Sequence, residues 1–472
     1  MPSPAPKENT MRVSTAQLYD VGISGLQRNQ SSLLNTQNQL STGKRVINPS
    51  DDPVASARAL VLSQSQNVNS QYLTNQKAAN SQLQLVEGTV GSLNDLLQYI
   101  RSQAVAAGNP ALTNSERQSM ASDLESCFQD LLGIANTQDG TGQYLFSGFQ
   151  GQTKPFAVTS TGAVQYQGDD GQVSVQVSSS RQIAITDAGS DLFMRIRQGN
   201  GSFATATSGN AFNAPTNQNL GTGVIDQGSV LDPTKWNATT NSGSFSITFA
   251  RDYTASPPTT TYDIVDTTSN TSIFTGAAPS ATGPLPGGTF VPGQTIKLAG
   301  PNGGTPVDYG ASITITGQPE DGDTFAISPS KSNQDIFQTV QSFINLLKNP
   351  PTQGTSQSVT HSNLGATATG YNINGSGTTE FANQLGGIIS NLDQALDKVN
   401  TVRASQGSRM NELDSLTSAG QAMDTQYQSS ISDLVDVDYY SAISQLFKQL
   451  VQLEAAQKAF VQITGLGLFK LL

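Results

Sequence analysis

The chain has 472 residues, a formal net charge of −11 and a pI near 4.6. This acidic balance argues against nucleic acid and anionic membranes as partners, and no apolar run is long enough for insertion into a bilayer. Hydrophobic residues make up 36% and charged residues 12%, which favours several extended elements with thin cores over one thick core.

The counts of histidine and cysteine exclude several kinds of site. One histidine, His361, lies in a Ser/Thr/Gly-rich stretch, and one cysteine, Cys127, lies at an apolar helix position. A histidine-dependent triad, a multi-histidine metal site and an internal disulfide all need more of these residues. We therefore predict a buried structural Cys127, a solvated His361, and no catalytic, metal or cofactor-binding residue.

The N-terminal part of the chain predicts a helix that packs against other helices. No apolar core of a cleavable signal peptide precedes it. Ile23, Leu26, Leu33 and Leu40 recur at helical spacing, and Gly43 is a natural stop. This stripe is the seam of a coiled coil.

The next stretch, TGKRVINPSDDPVASAR, carries two adjacent carboxylates. Asn48 and Pro49 favour a non-helical link, and Pro53 suits the first position of a helix. Asp52 then stands where an N-cap is expected, and Asp51 adds negative charge near the positive end of the helix dipole. We interpret these five residues as a helix-start loop rather than a metal or acid–base site.

Helical periodicity continues to about residue 135. A second seam runs from Tyr72 to Ala107, and the sequence GNP ends it. Thr113 and Glu116 then form the pattern of a capping box that opens a third helix.

From residue 155 to 329 the period changes to two, which predicts an inserted all-β domain. Val164 and Tyr166 alternate with polar residues, GDDG follows, and another alternating run comes after it. We interpret this as a hairpin with GDDG as its turn. The pair Asp169 and Asp170 within it could also suggest glycoside chemistry, but no partner carboxylate is identifiable.

Helical seams return after residue 330 and continue to the C-terminus. The last of them carries Ile443, Leu446, Leu450, Leu453 and Phe460. The predicted fold is α+β and multidomain, with a long coiled-coil bundle built from both termini around the β insertion. Its domains are expected at 11–50 with 428–472, 51–154 with 330–427, and 155–329, after a disordered extension over residues 1–10.

Several motifs occur in the same order as in one family. They are MRVSTAQLYD, LSTGKRVINPSDDPVASAR, GQPEDGDTFAIS, VRASQGSRMNELDSL and AISQLFKQLVQLEAAQKAFVQIT. Together they resemble the flagellin-like axial proteins of the bacterial flagellum, and among these the hook-associated proteins of the hook–filament junction. The resemblance covers about residues 11–150 and 317–472.

This resemblance implies a secreted, extracellular structural subunit that forms a homo-oligomer on a helical lattice and is needed for swimming. The implied partners are the proximal hook-associated junction protein, the flagellin filament and a cytoplasmic export chaperone. It also implies export through the flagellar type III channel. No enzyme activity is expected.

Two alternatives remain at this point. The first is flagellin, whose corresponding turn resembles RINSAKDDAAG, whereas here it reads RVINPSDDPVAS. The second is a secreted adhesin, or a protein that binds or hydrolyses glycans through the β insertion.

The predicted subunit interface consists of the apolar stripes at the two ends of the chain. Its residues are Ile23, Leu26, Leu33, Leu40, Ile443, Leu446, Leu450, Leu453 and Phe460. Two helices alone cover such stripes poorly, so we expect both ends to be disordered in the monomer and helical after assembly.

Overall fold

The computed structural model describes residues 15–160, 162–211, 218–253, 255–280, 284–351 and 376–468. Residues 1–10, with the predicted extension, and His361 lie outside these ranges. The helices of the described residues are Thr15–Thr42 (α1), Pro53–Ala107 (α2), Asn114–Ala135 (α3), Pro233–Trp236 (α4), Ile336–Lys348 (α5), Ser376–Val435 (α6) and Tyr439–Leu468 (α7).

The strands lie between α3 and α5. They are Phe156–Val158 (β1), Val164–Tyr166 (β2), Ser174–Ser178 (β3), Arg181–Ala184 (β4), Phe203–Asn210 (β5), Val224–Ile225 (β6), Ser229–Val230 (β7), Phe245–Asp252 (β8), Thr259–Asp266 (β9), Thr271–Ser272 (β10), Thr295–Gly300 (β11), Val307–Thr316 (β12) and Asp323–Pro329 (β13). The predicted fold class, helical ends around an all-β middle, is confirmed.

The β part contains two larger antiparallel sheets and two small hairpins. The first sheet has the order β10–β9–β8–β13–β5, and the second has β11–β12–β6 with β7 also on β12. Their inner faces share a core around Phe203, Trp236, Phe245, Phe249 and Phe325. Buried and less buried side chains alternate along these strands, as the period-two pattern of the sequence predicts.

The predicted hairpin across GDDG is wrong. β2 pairs with β1, and β3 forms its own two-stranded sheet with β4. Asp169 Oδ1 instead accepts hydrogen bonds from the backbone N–H groups of Phe149 at 2.9 Å and Gly171 at 2.8 Å, while Asp170 bonds Ser190 and Arg195. Both acids hold the connector between β2 and β3 in place. The hairpin does not form, because strands as short as β2 and β3 pair with whichever neighbour the packing supplies.

The chain divides into two compact units. The terminal unit comprises residues up to Gln76, 177–180 and those from Asp414 onwards, and the central unit comprises Lys77–Gln176 and Arg181–Leu413. The three predicted domains stay a prediction, since the borders of these two units fall inside the long helices α2 and α6 rather than at the predicted boundaries.

The central unit has a helical core beside the β core. Parts of α2 and α6 pack with α3 and α5 around an aromatic cluster of Phe146, Phe156, Phe193 and Phe337, whose ring centroids lie 5.1–5.9 Å apart for the contacting pairs. Phe156 belongs to β1, so the first hairpin packs on the helices. α3 opens with the predicted capping box, in which the Thr113 hydroxyl accepts from Glu116 N–H and the Glu116 carboxylate accepts from Thr113 N–H.

Candidate subunit interface

The terminal unit contains the residues that the sequence predicts for assembly. α1 ends at Thr42, and Gly43 follows with φ +70°, a conformation that L side chains rarely adopt. A Cβ atom at Gly43 would lie 2.9 Å from the Tyr439 hydroxyl oxygen. The backbone turn therefore favours glycine at position 43, and a Cβ atom there would also displace the Tyr439 hydroxyl.

Backbone hydrogen bonds tie the link after α1 to the end of α6 and to the link before α7. Arg45 N–H donates to the Val435 carbonyl at 2.7 Å, and Val437 N–H donates to the Gly43 carbonyl at 2.9 Å. The Arg45 guanidinium adds a hydrogen bond of 2.6 Å to the Leu434 carbonyl. These bonds join the two links into one connected segment, the joint, and hold the end of α1 next to the start of α7, so the two helices run from there as a pair.

The helix-start loop adjoins this joint. Asp52 Oδ1 accepts from Ala55 N–H at 3.0 Å, which is N-cap geometry, and Pro53 is the first residue of α2. Asp51 Oδ2 accepts from the N–H groups of Ile47 at 3.1 Å and Asn48 at 2.8 Å. These bonds use the two carboxylates to shape the turn around Asn48 and Pro49.

The surroundings of Asp52 favour its charged form. The Ala55 N–H and the Arg45 guanidinium lower the pKa of the Asp52 carboxyl. Among the described residues no group of three or more acidic, histidine or cysteine side chains could hold a metal ion.

We expect Asp52→Ala to lower the Tm by about 2–4 °C, because the first turn of α2 loses its cap. Asp52→Asn keeps an oxygen acceptor at the same place and should change the Tm much less. Thermal unfolding with and without a chelator measures both effects. A chelator-sensitive Tm, with Asn as harmful as Ala, would contradict the cap.

α1 and α7 pack against each other within one chain. The Tyr19 and Phe460 rings meet edge to face at 5.9 Å, and a Cβ at Gly22 would lie 2.8 Å from the Phe460 ring. The predicted interface residues that face into this pair are half-buried. They are Leu26, Leu33, Leu40, Leu446, Leu453 and Phe460.

The other predicted residues, Ile23, Ile443 and Leu450, are exposed. Further apolar side chains, which the sequence prediction does not include, are exposed as well. These are Val21, Leu34, Val54, Leu60, Val61, Val68, Tyr440, Phe447, Val451 and Val461. A signal existed for part of this set, since Val54, Val61 and Val68 recur every seven residues on α2.

The RASQGSR motif has a structural role in the central unit. Arg403 pairs with Glu87 on α2 at 2.7 Å. Asp187, the third residue after β4, accepts from Gln406 Nε2 and from the Arg409 guanidinium, both at 2.9 Å. The motif thus fixes the segment after the β3–β4 sheet against α6.

The GDTF segment contains a buried carboxylate, Asp323. Its oxygens accept hydrogen bonds from the backbone N–H groups of Leu220, Gly221 and Glu320 at 2.7–2.8 Å and from the Asn210 amide at 3.2 Å. Burial nevertheless raises the pKa of Asp323 to about 6, against the opposing effect of these donors. The carboxyl organises the loops at one end of β13.

A raised folded pKa makes stability depend on pH. The protonated Asp323 carboxyl contributes to the free energy of unfolding. This contribution is fully present below the unfolded pKa near 4 and is lost as the pH rises through about 6. It amounts to at most about 3 kcal/mol. Asp323→Asn does not titrate, so urea unfolding at pH 4 and pH 7 should give a steeper loss for the wild type; parallel profiles would refute the shift.

Other candidate residues are accounted for by packing. Cys127 is buried, and burial raises the pKa of its thiol, which disfavours the reactive thiolate. None of the helices in the described ranges has the length and apolarity needed to cross a membrane.

Family models match both ends of the chain. The bacterial flagellin N-terminal helical region matches residues 13–151, and the bacterial flagellin C-terminal helical region matches residues 389–472. The chain belongs to the flagellin-like proteins of the bacterial flagellum. The predicted resemblance is confirmed.

Curated relatives of the chain include hook-associated proteins and a flagellin. Flagellar hook-associated protein 3 of Escherichia coli is 26% identical over 461 residues, 98% of this chain and 99% of that protein. The Salmonella typhimurium protein of the same name is 37% identical over 186 residues, 39% of this chain and 58% of that protein. Flagellin B of Helicobacter pylori is 31% identical, but over only 125 residues, 26% of this chain and 24% of that protein.

Solved structures agree with these relatives. The crystal structure of the flagellar junction protein FlgL from Legionella pneumophila matches with a TM-score of 0.62 and 26% identity. The match covers 80% of this chain and all of that chain. This flagellin-like chain is therefore a component of the extracellular part of the flagellum, and it assembles with other flagellar components.

Proposed function

We propose that this protein is a structural subunit of the junction that joins the hook to the filament, required for filament attachment and swimming. The observation that carries the proposal is the end-to-end match to hook-associated protein 3, over 98% of this chain and 99% of the relative. Flagellin B of Helicobacter pylori, in contrast, matches over only 26% of this chain and 24% of its own length.

The apolar surface of the terminal unit supports assembly by helix packing. A helix pair in water normally buries its apolar side chains, yet Tyr440, Phe447 and Val451 on α7 are each more than 60% exposed. Subunits that stack head to tail on a helical lattice would cover such faces. In this arrangement α1 and α7 would form the inner, lattice-forming layer.

The proposal includes specific partners and a route of export. One end of the assembled lattice of subunits would contact the proximal hook-associated junction protein and the other the flagellin filament. A cytoplasmic chaperone would hold the amphipathic C-terminal region before the chain is secreted through the flagellar type III channel. Marginally stable terminal helices that fold fully only in the lattice suit passage through a narrow channel.

An adhesin or glycan-active protein is a weaker alternative. Asp169 and Asp170, its candidate acids, are engaged by backbone N–H groups and by Ser190 and Arg195. Carboxylates occupied in this way hold a connector between strands, so nothing in the pair favours glycoside chemistry.

Electron microscopy of a deletion strain tests the junction role. A missing junction protein should leave hooks without filaments and release flagellin into the medium. A missing flagellin should leave intact junctions without a filament. Normal filaments and normal swimming in the deletion strain would refute the proposal.

A further inference from the structure

Two asparagine–glycine pairs lie in turns beside the larger sheets. They are Asn200–Gly201, just before β5, and Asn302–Gly303, between β11 and β12; a third pair, at 374–375, lies outside the described residues. Asparagine is a chemically labile residue, and a glycine after it leaves the next backbone nitrogen free to approach the side-chain amide carbon. The hydrogen bonds of each asparagine amide therefore decide how readily the two atoms meet.

The Asn200 side chain is held from both of its polar atoms. Its Nδ2 donates to the carbonyls of Gln227 at 2.9 Å and Gly228 at 3.2 Å. Its Oδ1 accepts from the N–H groups of Ser202 and Phe203, both at 2.9 Å. An amide with these four bonds cannot turn towards the next backbone nitrogen without losing several of them. The fold thus protects Asn200.

The Asn302 side chain has no such restraint. It is partly exposed, and within the described ranges its amide oxygen and nitrogen form no hydrogen bond. Asn302 begins a single turn of 3-10 helix, with φ +40° at Asn302 and +64° at Gly303. Asparagine tolerates the left-handed region better than most residues with a side chain. The turn therefore presents to water an amide that nothing holds.

The glycine nitrogens of the two pairs have similar surroundings. Gly201 N–H donates to the Gln198 carbonyl at 3.1 Å, and Gly303 N–H donates to the Phe274 carbonyl at 3.2 Å. Either nitrogen gives up one long hydrogen bond when it reacts. The two pairs therefore differ mainly in their asparagine side chains, which makes one a control for the other.

We propose that Asn302–Gly303 is a site of spontaneous deamidation and that the folded protein protects Asn200–Gly201. The Gly303 nitrogen forms a bond to Asn302 Cγ and loses its proton, while the side-chain nitrogen leaves as ammonia and a cyclic succinimide remains. One water molecule then adds to either carbonyl of the ring and opens it to aspartate or isoaspartate. Water is the only co-reactant, and the product carries one new negative charge.

The isoaspartate product changes the backbone of this turn, because it inserts one more carbon into the main chain between residues 302 and 303. Asn302 N–H donates to the Ile273 carbonyl at 2.8 Å, and Gly303 N–H donates to the Phe274 carbonyl. These two bonds tie the turn to the segment after β10, and the extra carbon disturbs their spacing. The modified fraction rises with the time since synthesis, so it records the age of each subunit.

Peptide mapping by mass spectrometry tests the site in the purified full chain. The folded protein is incubated at mildly alkaline pH and digested at intervals, and the aspartate and isoaspartate peptides are separated. We expect Asn302 to react at least about tenfold faster than Asn200, since a factor of ten corresponds to the net contribution of one or two hydrogen bonds. In concentrated denaturant neither side chain is held, so the two pairs should react at similar rates.

Asn302→Gln is the matched variant, because it keeps the amide group but would require a larger and less favourable ring. It should abolish the modification at position 302 and leave the rate at Asn200 unchanged. Hydrogen exchange at residues 273–276 should become faster in aged wild-type protein and stay constant in the aged variant.

Equal rates for the two pairs in the folded protein would overturn the proposal. So would an Asn302 that stays intact in the folded chain yet reacts in denaturant. Unchanged exchange at 273–276 in a modified sample would overturn the loosening of the turn. These measurements concern the purified chain, so their failure leaves the junction role standing, whereas normal filaments in the deletion strain would refute the junction role and leave the reactivity of Asn302 untouched.

Discussion

Replacing Leu446, Leu450 and Leu453 with serine is expected to abolish assembly at the hook while the rest of the protein stays folded. Leu446 and Leu453 are half-buried against α1, and Leu450 is exposed for coverage by a neighbouring subunit. Each buried leucine contributes about 1.5–3 kcal/mol, so the triple change removes roughly 5–9 kcal/mol of stabilisation in the assembled state. This loss exceeds what a marginal helix pair can tolerate.

Complementation of the deletion strain measures the effect by filament attachment and swimming. Limited proteolysis of the purified monomer should still leave a resistant fragment near residues 50–425, since the substitutions lie outside it. Leu231→Ser is the matched control, because it removes an exposed leucine of the β part and should leave assembly intact. Attached filaments with the triple variant would exclude these stripes as an interface.

Removing the Asp187 carboxylate is expected to destabilise the central unit by about 3–5 kcal/mol. The Asp187 and Arg409 side chains are only 11% and 20% exposed, and their ion pair is 2.9 Å long. Asp187→Ala leaves the Arg409 guanidinium without this partner and Gln406 without its acceptor. An uncompensated charge in a nearly dry site costs far more than an intact pair contributes.

Chemical unfolding of the wild type and variant measures this loss. Asp187→Asn keeps the shape and one acceptor oxygen, so it should lose less. The surface pair Lys458–Glu454, whose side chains are 73% and 66% exposed, is the natural control, and Glu454→Gln should have almost no effect. Equal losses for Asp187→Ala and Glu454→Gln would show that the buried pair carries no special weight.

Local rules predict the helices well. The capping box at Thr113 and Glu116 opens α3, and the apolar seam after Asn114 ends near the expected residue. Helix signals are local, because each hydrogen bond and each cap joins residues three or four apart. The helix predicted to begin at Pro53 and the seam that begins at Tyr72 belong to one continuous helix, α2, since nothing in the sequence breaks it.

Strand pairing was beyond the same reasoning. β13 pairs with β5 and β8, strands that begin more than seventy residues earlier. Alternation identifies such strands individually, but it carries no information about their neighbours. The predicted GDDG hairpin is wrong for this reason, because the turn-like tetrapeptide lies between two alternating runs that each pair with another strand.

The sequence by itself determined the helical ends, the β middle, the family and the apolar stripes of α1 and α7. Only the tertiary structure decided which stripe residues face the partner helix of the same chain and which stay exposed. Helical periodicity gives the side of a helix, whereas exposure depends on what lies opposite, and α7 carries apolar residues on more than one side. Gln76 is a second case. It occupies a seam position of α2, and only the structure shows that its buried side chain donates a hydrogen bond to the Val177 carbonyl.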